Sequence, residues 1–359
     1  MPARRNGGEL PPGGAQAVTD IAHIAAAPGG AVERADALLG ALRRLMPFDA
    51  SFVALLHPER REHLSLVRSG YDERTCAYLD GPVWMDDIEL LGLREARSPI
   101  RLCDFPVRPE AVHCWAEYLV PAGFREGLGV GLFTSDGRYL GVLGLHSVSA
   151  VPVTDAVRDL VGMLAPLLAH AVDPMREAGA VAGLVHDAVA GIALTDGGAV
   201  LPLPGLPGHP LLAAGSPVLA VVAAGRSTGE GRLQTSFLCP GLTDGRADHH
   251  LRITLLAMPP GDLPYEVTTV VVVSPPGDLY GLTSRELEVL GLLVEGWPNQ
   301  PIAAGLEITE RTVAAHVEHI MVKLAAPSRT VAAVSALRLG LFVPRLLHHG
   351  ALSGDPADR

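Results

Sequence analysis

Leu282-Thr283-Ser284-Arg285-Glu286-Leu287-Glu288-Val289-Leu290, late in a chain of 359 residues, is the stretch from which the rest can be read. Thr283 and Glu286 stand three apart before an apolar run. That is the spacing of a capping box, in which each side chain accepts from the other's backbone N–H. Leu287, Leu290, Leu293 and Val294 then recur at helical spacing, and Gly296 offers the left-handed backbone that ends a helix. A short second helix carries Ile302, Ala303 and Leu306. Thr309 is placed to cap a third, with Val313, Val317, Ile320 and Leu324 along one face.

Three short helices with tight turns, the last with a free outward face, are the arithmetic of a helix-turn-helix. The outward residues are Arg311, Ala314, Ala315 and Glu318, and the N–H groups behind Thr309 and Thr312 suit a backbone phosphate. Leu282–Leu290, Gly296, Asn299, Ile302, Ala303, Leu306, Ile308, Thr309, Thr312, Val313, His316, Val317, Ile320, Lys323, Leu324 and Arg329, in that order, resemble the LuxR-type helix-turn-helix. The resemblance implies binding to double-stranded promoter DNA with the third helix in the major groove. It also implies a fourth helix, at about residues 329–341, that supports a homodimer. The expected DNA-binding residues are Thr309, Arg311, Thr312, Ala314, Ala315, Glu318, Lys323 and Arg329, with Arg311 and Lys323 meeting phosphates.

This chain departs from that pattern in its reading face. Ala314 and Ala315 stand where the family usually has a basic or polar residue. Alanine can touch a thymine methyl but forms none of the bidentate bonds worth ~1–3 kcal/mol of discrimination. Glu318 can accept from cytosine or repel phosphate. Six cations and six anions over residues 281–345 leave the region neutral, so a monomer gains little from counterion release and dimerisation must add affinity. Pro301 replaces a helix-forming residue, in a first turn where its missing N–H costs little.

Upstream, residues 31–45 carry Ala35, Leu38, Leu39 and Leu42 at helical spacing, and residues 50–56 and 63–69 read as strands. A loop-rich middle leads to a hairpin, residues 129–134 and 139–147, around Ser135-Asp136-Gly137. Thr154 opens a helix that Asp173-Pro174 stops. This order, with Gly141-Val142-Leu143-Gly144-Leu145-His146-Ser147, resembles a GAF sensory domain. Residues 175–190 read as a helix. Strands follow at 191–195, 199–203, 232–239, 250–258 and 266–273, an order similar to a degenerate PAS domain.

The expected fold class is multidomain: α+β sensor domains (GAF-like, then PAS-like) followed by an all-α LuxR-type helix-turn-helix domain. The expected divisions are a flexible arm (1–30) with one short helix near 21–27, a GAF-like domain (31–173), a PAS-like domain (174–274), a linker (275–280), the helix-turn-helix domain (281–346) and a disordered tail (347–359).

Composition sets the outer limits. Hydrophobic residues make up 48% of the chain and charged residues 19%, enough for packed cores. The formal charge of −11 excludes a generally polybasic nucleic-acid binder, and Lys323 is the only lysine. Four separated cysteines, Cys76, Cys103, Cys114 and Cys239, form no CxxC pair, and no apolar run reaches a membrane-spanning length. The expectation is a cytoplasmic protein that needs no cofactor or membrane.

Other chemistry-bearing groups have a plain reading beside the functional one. His316 and His319 share a helix but lack a metal-ligand spacing, and His113, Cys114 and Cys103 are read as incidental rather than ligating. The pairs His249-His250 and His348-His349 are expected to be solvated. Trp84, Trp115, Tyr118, Phe124 and Phe133 either pack the first domain's core or line a pocket for a small apolar or planar effector. Residues 225–231 have the look of a phosphate loop, but Arg232 replaces its lysine. No catalytic constellation is visible, so the chain is not expected to be an enzyme. The reading is a regulator whose sensor domains control DNA binding; the alternative is a dimerisation or partner-binding protein whose altered reading face no longer recognises DNA.

Overall fold

The structure, a computed structural model, describes residues 13–60, 62–227, 234–241, 250–259 and 265–348. It divides into two compact units. The first comprises residues 1–176 with 260–266; the second, residues 177–259 with 267–359.

In the first unit α1 (Gly14–Ala26) and α2 (Ala31–Leu42) precede β1 (Ala50–Leu56) and β2 (His63–Ser69). α3 (Glu73–Leu79), α4 (Trp84–Leu90), the short β3 (Ile100–Arg101) and several single turns follow. β4 (Glu126–Phe133), β5 (Tyr139–Ser147) and α5 (Asp155–Val172) complete it. The strands form one antiparallel sheet in the order β2-β1-β5-β4-β3.

Because side chains alternate across a strand, the two faces of this sheet differ in composition. Val53, Leu55, Leu128, Val130, Leu132, Leu143 and Leu145 pack with Leu38, Leu42, Leu160, Leu164 and Leu168 of the helices. The opposite face presents Ala50, Phe52 and Ala54 from β1 and Val142, Gly144 and His146 from β5. From β4 it presents Gly127, Gly129 and Gly131, with Phe133 beyond them at the end of the strand. There α3, α4 and the turns bring Trp84, Ile88, Leu93, Trp115 and Leu119 onto nearly bare backbone.

The segment expected as a loose arm holds a full helix, α1, and buries Ala17, Ile21 and Ala25 in the helical core. The apolar spacing of those three residues, four apart each time, was legible but lay between Gly and Pro residues that break helices. Likewise, the loop-rich middle contains α3, whose N-cap Asp72 accepts from the Thr75 N–H, and α4.

The second unit is entered through α6 (Met175–Ala182), shorter than the 175–190 expected. It continues with β6 (Ala190–Thr195), β7 (Val200–Pro202), α7 (Pro217–Ser227), β8 (Gln234–Pro240), β9 (His250–Ala257) and β10 (Val267–Ser274). These strands form a second antiparallel sheet, β7-β6-β10-β9-β8, with the same relative strand order as the first. Four helices follow: α8 (Ser284–Val294), α9 (Asn299–Gly305), α10 (Glu310–Lys323) and α11 (Arg329–Leu339).

Residues 275–280 connect this sheet to the helices without separating their cores. Phe237, Leu238, Ile253, Val271 and Val273 of the sheet belong to one apolar cluster with Leu287, Leu290, Ile320, Ala332 and Ala336 of the helices. Polar contacts reinforce the join. The Leu238 N–H donates to the Phe342 carbonyl at 2.8 Å, so residues after α11 lie along the edge strand β8. Arg252 donates to the carbonyls of Leu339 (2.6 Å) and Pro276 (2.7 Å). Gly340 ends α11 with φ +64°, and a Cβ there would sit 2.7 Å from the Ser236 Cβ.

Two solvated-histidine expectations are corrected here. His250 is buried as the first residue of β9, held in the ladder opposite Pro240. His348 is buried where the turn Arg345–Leu347 folds the chain back on itself, its Nε2 3.1 Å from the Val343 carbonyl. The loop-like residues 228–231, His249 and His349 lie outside the described residues.

Candidate functional site

The C-terminal helices are built as their sequence dictates. Thr283 accepts from the Glu286 N–H at 3.3 Å, and the Glu286 carboxylate accepts from the Thr283 N–H at 2.7 Å, completing the capping box of α8. Thr309 accepts from the Thr312 N–H at 3.1 Å and starts α10; Ser328 does the same for α11 through the Val331 N–H at 3.3 Å. Pro301 lies in the first turn of α9.

α10 sorts its residues cleanly. Val313, Val317 and Ile320 are buried, while Arg311, Thr312, Ala314, Ala315, Glu318 and His319 are exposed, as is Thr309 at the cap. The exposed face therefore carries one cation, two methyl groups and a carboxylate, next to the unpaired N–H groups of a helix start.

The cations of this region differ in what they are free to do. Arg311 has no hydrogen bond or ion pair among the described residues. Lys323 is engaged: its Nζ lies 2.7 Å from Glu286 Oε2, which is buried. Burial opposes ionisation of that carboxyl, but the bonds from Lys323 and Thr283 outweigh it and hold its pKa below the ordinary value. Arg329 donates to the Trp297 carbonyl (2.6 Å) and Asn299 Oδ1 (3.2 Å), fastening the turn before α9. Arg285 bonds Glu288 at 2.8 Å and the Leu306 carbonyl. Sequence spacing could group Lys323 and Arg329 with the reading face, but only coordinates reveal that Glu286 and the 297–299 turn already occupy them.

The first unit holds a cavity of about 50 Å³ between the glycine-bare sheet face and its covering helices and turns. Phe52, Trp84, Phe105 and Trp115 supply rings, with Cys114, Asp87 and His146 the polar groups. Asp87 is buried and accepts from the Tyr78 hydroxyl (2.7 Å) and the N–H groups of Cys114 (2.6 Å) and His113 (3.0 Å). Burial, then the Asp87 charge, pushes the Cys114 thiol pKa far up, so it stays protonated.

Of the five aromatics singled out from sequence, Trp84 and Trp115 line this cavity. Tyr118 stacks on Tyr78 with ring centroids 4.2 Å apart, Phe124 packs beside Tyr71, and Phe133 packs on Tyr139. The sequence reading missed the floor. Its signal was the period-two run Gly127, Gly129, Gly131, which strips one face of a strand. A Cβ on Gly127 would lie 2.8 Å from both His146 and Trp115, and one on Gly144 would strike the Phe52 ring. No group of three or more His, Cys, Asp or Glu that could hold a metal occurs among the described residues.

Comparison with known proteins places the C-terminal geometry in a class. Residues 281–336 match the family described as bacterial regulatory proteins, luxR family, so this region is a LuxR-type helix-turn-helix domain. It is similar to part of the transcriptional regulatory protein LnrK of Bacillus subtilis (strain 168), at 48% identity over 68 residues; these are 19% of this chain and 31% of that protein. It is also similar to part of the nitrate/nitrite response regulator protein NarL of Escherichia coli (strain K12), at 47% identity over 57 residues, covering 16% and 26% of the two chains. The chain thus spans less than a third of the length of these relatives. Among solved structures, the GAF domain of a phosphoenolpyruvate-protein phosphotransferase from Coxiella burnetii aligns with a TM-score of 0.37 and 18% identity, over 47% of this chain and 97% of that one.

Proposed function

We propose that the whole chain is a transcriptional regulator in which two α+β sensor regions control a C-terminal DNA-binding domain. The observation that carries the reading is α10. It exposes Arg311, Ala314, Ala315 and Glu318 opposite a buried stripe, on a domain of the LuxR type. In this reading α10 lies in the major groove, Arg311 meets phosphate, and the methyls of Ala314 and Ala315 face thymine methyls. Glu318 accepts from a cytosine amino group, and the N-terminus of α10 behind Thr309 and Thr312 takes a second phosphate. Lys323 and Arg329 act on the fold, holding α10 and α9 in place.

The proposed divisions are a GAF-like region at 31–173, a PAS-like region at 174–274 and the helix-turn-helix at 281–346. The cavity of the first region is the effector site, and binding there changes the geometry of a homodimer that uses α11. A face this poor in cations needs two copies on two half-sites for useful affinity. Such a protein works in the cytoplasm and carries no catalytic role. Among the described residues no helix is long and apolar enough to cross a membrane.

The test is selection of duplexes from a random pool by full-length protein. Enrichment of a two-fold related sequence with half-sites about one helical turn apart supports the reading. A pool that stays random overturns it and favours a partner-binding role for residues 281–341.

A further inference from the structure

We propose that the cavity of the first unit selects a small, uncharged, flat molecule bearing one hydrogen-bond acceptor, and that the Nε2–H of His146 is the group that recognises it. The proposal deepens the effector reading of that cavity and rests on it.

His146 lies on β5 directly opposite Gly127 of β4, lines the cavity and is more than nine-tenths buried. Its Nδ1 is 2.6 Å from the Tyr71 hydroxyl, which has no other hydrogen-bond partner among the described residues. Burial raises the pKa of that phenol, so it keeps its proton, and burial pulls the imidazole down to about 3, so the ring is neutral. A phenol with one proton and one neighbour donates to it. Nδ1 is therefore the acceptor, and the ring's own proton sits on Nε2. Nε2 has no partner among the described residues and is not one of the fully enclosed unpartnered atoms, so it keeps surface that a molecule in the cavity lined by His146 can reach. A ligand acceptor at that point would satisfy it.

The remaining lining sets the other properties. No Lys or Arg lines the cavity, so an anion finds no counter-charge. Asp87 is already met by three donors and has little to offer a cation. The Cys114 thiol stays neutral, which removes covalent capture by a thiolate. Rings on the walls and bare glycine backbone beneath favour a planar shape.

Size is limited as well. The cavity of about 50 Å³ is well below the ~150 Å³ that accommodates benzene in a dry engineered cavity. A single ring enters only if the half-buried Leu91 and Phe105 yield, so nothing larger is expected.

The test uses full-length protein and three probes: pyridine and benzene, which match in size, and benzoate, which is charged and larger. Dissociation constants come from NMR titration, together with long-range ¹⁵N spectra of the histidine rings. Pyridine should bind up to about tenfold more tightly than benzene, the worth of one net hydrogen bond, and shift His146 Nε2; benzoate should not bind. Tyr71→Phe frees Nδ1 to take the proton, so the preference for pyridine should shrink while benzene affinity holds. Equal affinity for pyridine and benzene, or tightest binding of benzoate, overturns the role of His146 and leaves a ligand cavity standing. Failure of all three probes overturns the effector reading together with it.

Discussion

Arg311 and Lys323 make opposite predictions although a sequence comparison treats both as phosphate contacts. Arg311→Ala removes an exposed cation with no partner among the described residues. Folding stability should stay within about 0.5 kcal/mol of the parent, while one released counterion is lost from binding. The slope of log affinity against log salt should flatten by ~0.9. Over a fourfold rise in salt, the variant should therefore lose about 3.5-fold less affinity than the parent.

Lys323→Met instead breaks the 2.7 Å pair with Glu286, leaving a buried carboxylate with only its Thr283 donors. Allowing for the partial exposure of the lysine, the cost should be about 1–2 kcal/mol, and the salt slope should not change. The pH dependence follows from the lowered pKa of Glu286. A carboxyl held below its unfolded value stabilises the fold above about pH 4.3, and that stability is lost as pH falls through the folded value. The gap between parent and Lys323→Met should thus be full at neutral pH and close in acid. Urea melts, and fluorescence anisotropy on a selected duplex at several salt concentrations, read both quantities. A flattened slope for Lys323→Met with unchanged stability would refute the assignment, as would an unchanged slope for Arg311→Ala.

Four further perturbations probe the scaffold. Asp87→Ala should cost roughly 3 kcal/mol, because two backbone N–H groups and the Tyr78 hydroxyl lose their acceptor; urea denaturation of the full chain measures it. Burial lowers His63 to about 4 and His146 to about 3, so the unfolded chain takes up protons first. Stability should be complete above about pH 6.5 and fall towards pH 4, by up to roughly 3 kcal/mol per residue, in melts run across that range. Four glycines inserted after Gly277 should lower the stability of the second unit measurably, as should Arg252→Ala, because Arg252 ties Pro276 to Leu339; thermal melts that match the parent would count against a shared core.

The sequence was most legible where local chemistry and periodicity agreed. Thr283 with Glu286, and Thr309 with Thr312, are caps whose partners lie within one turn, so spacing alone predicts both the helix start and the hydrogen bond. β1, β2 and β5 were likewise plain, because short apolar runs lay between clear turns. α3 and α4 were not, since each is only seven residues long and draws its stability from rings packed on the sheet. Pro166 lies exposed within α5, where packing of Leu164 and Leu168 sustains the helix on either side. Long-range partners were the least visible. Nothing near Lys323 in sequence points to Glu286, 37 residues earlier, and nothing near Leu238 points to Phe342.

The common core of the second sheet and the four C-terminal helices constrains how any signal can act. A DNA-binding domain on a loose tether can be freed or hidden while its own stability stays constant. Here Leu287, Ile320 and Ala336 share an apolar cluster with Phe237 and Val271, and the chain after α11 is hydrogen-bonded to β8. Releasing the helices would expose that surface, and at about 25 cal/mol per Å² even a few hundred Å² costs several kcal/mol. An effector can shift an equilibrium only by its differential affinity for the two states, commonly worth 1–3 kcal/mol between sites. Undocking therefore lies beyond the reach of an ordinary small ligand. In the proposed reading, a signal that keeps the second sheet and the four helices together opens none of that shared core and lies within it.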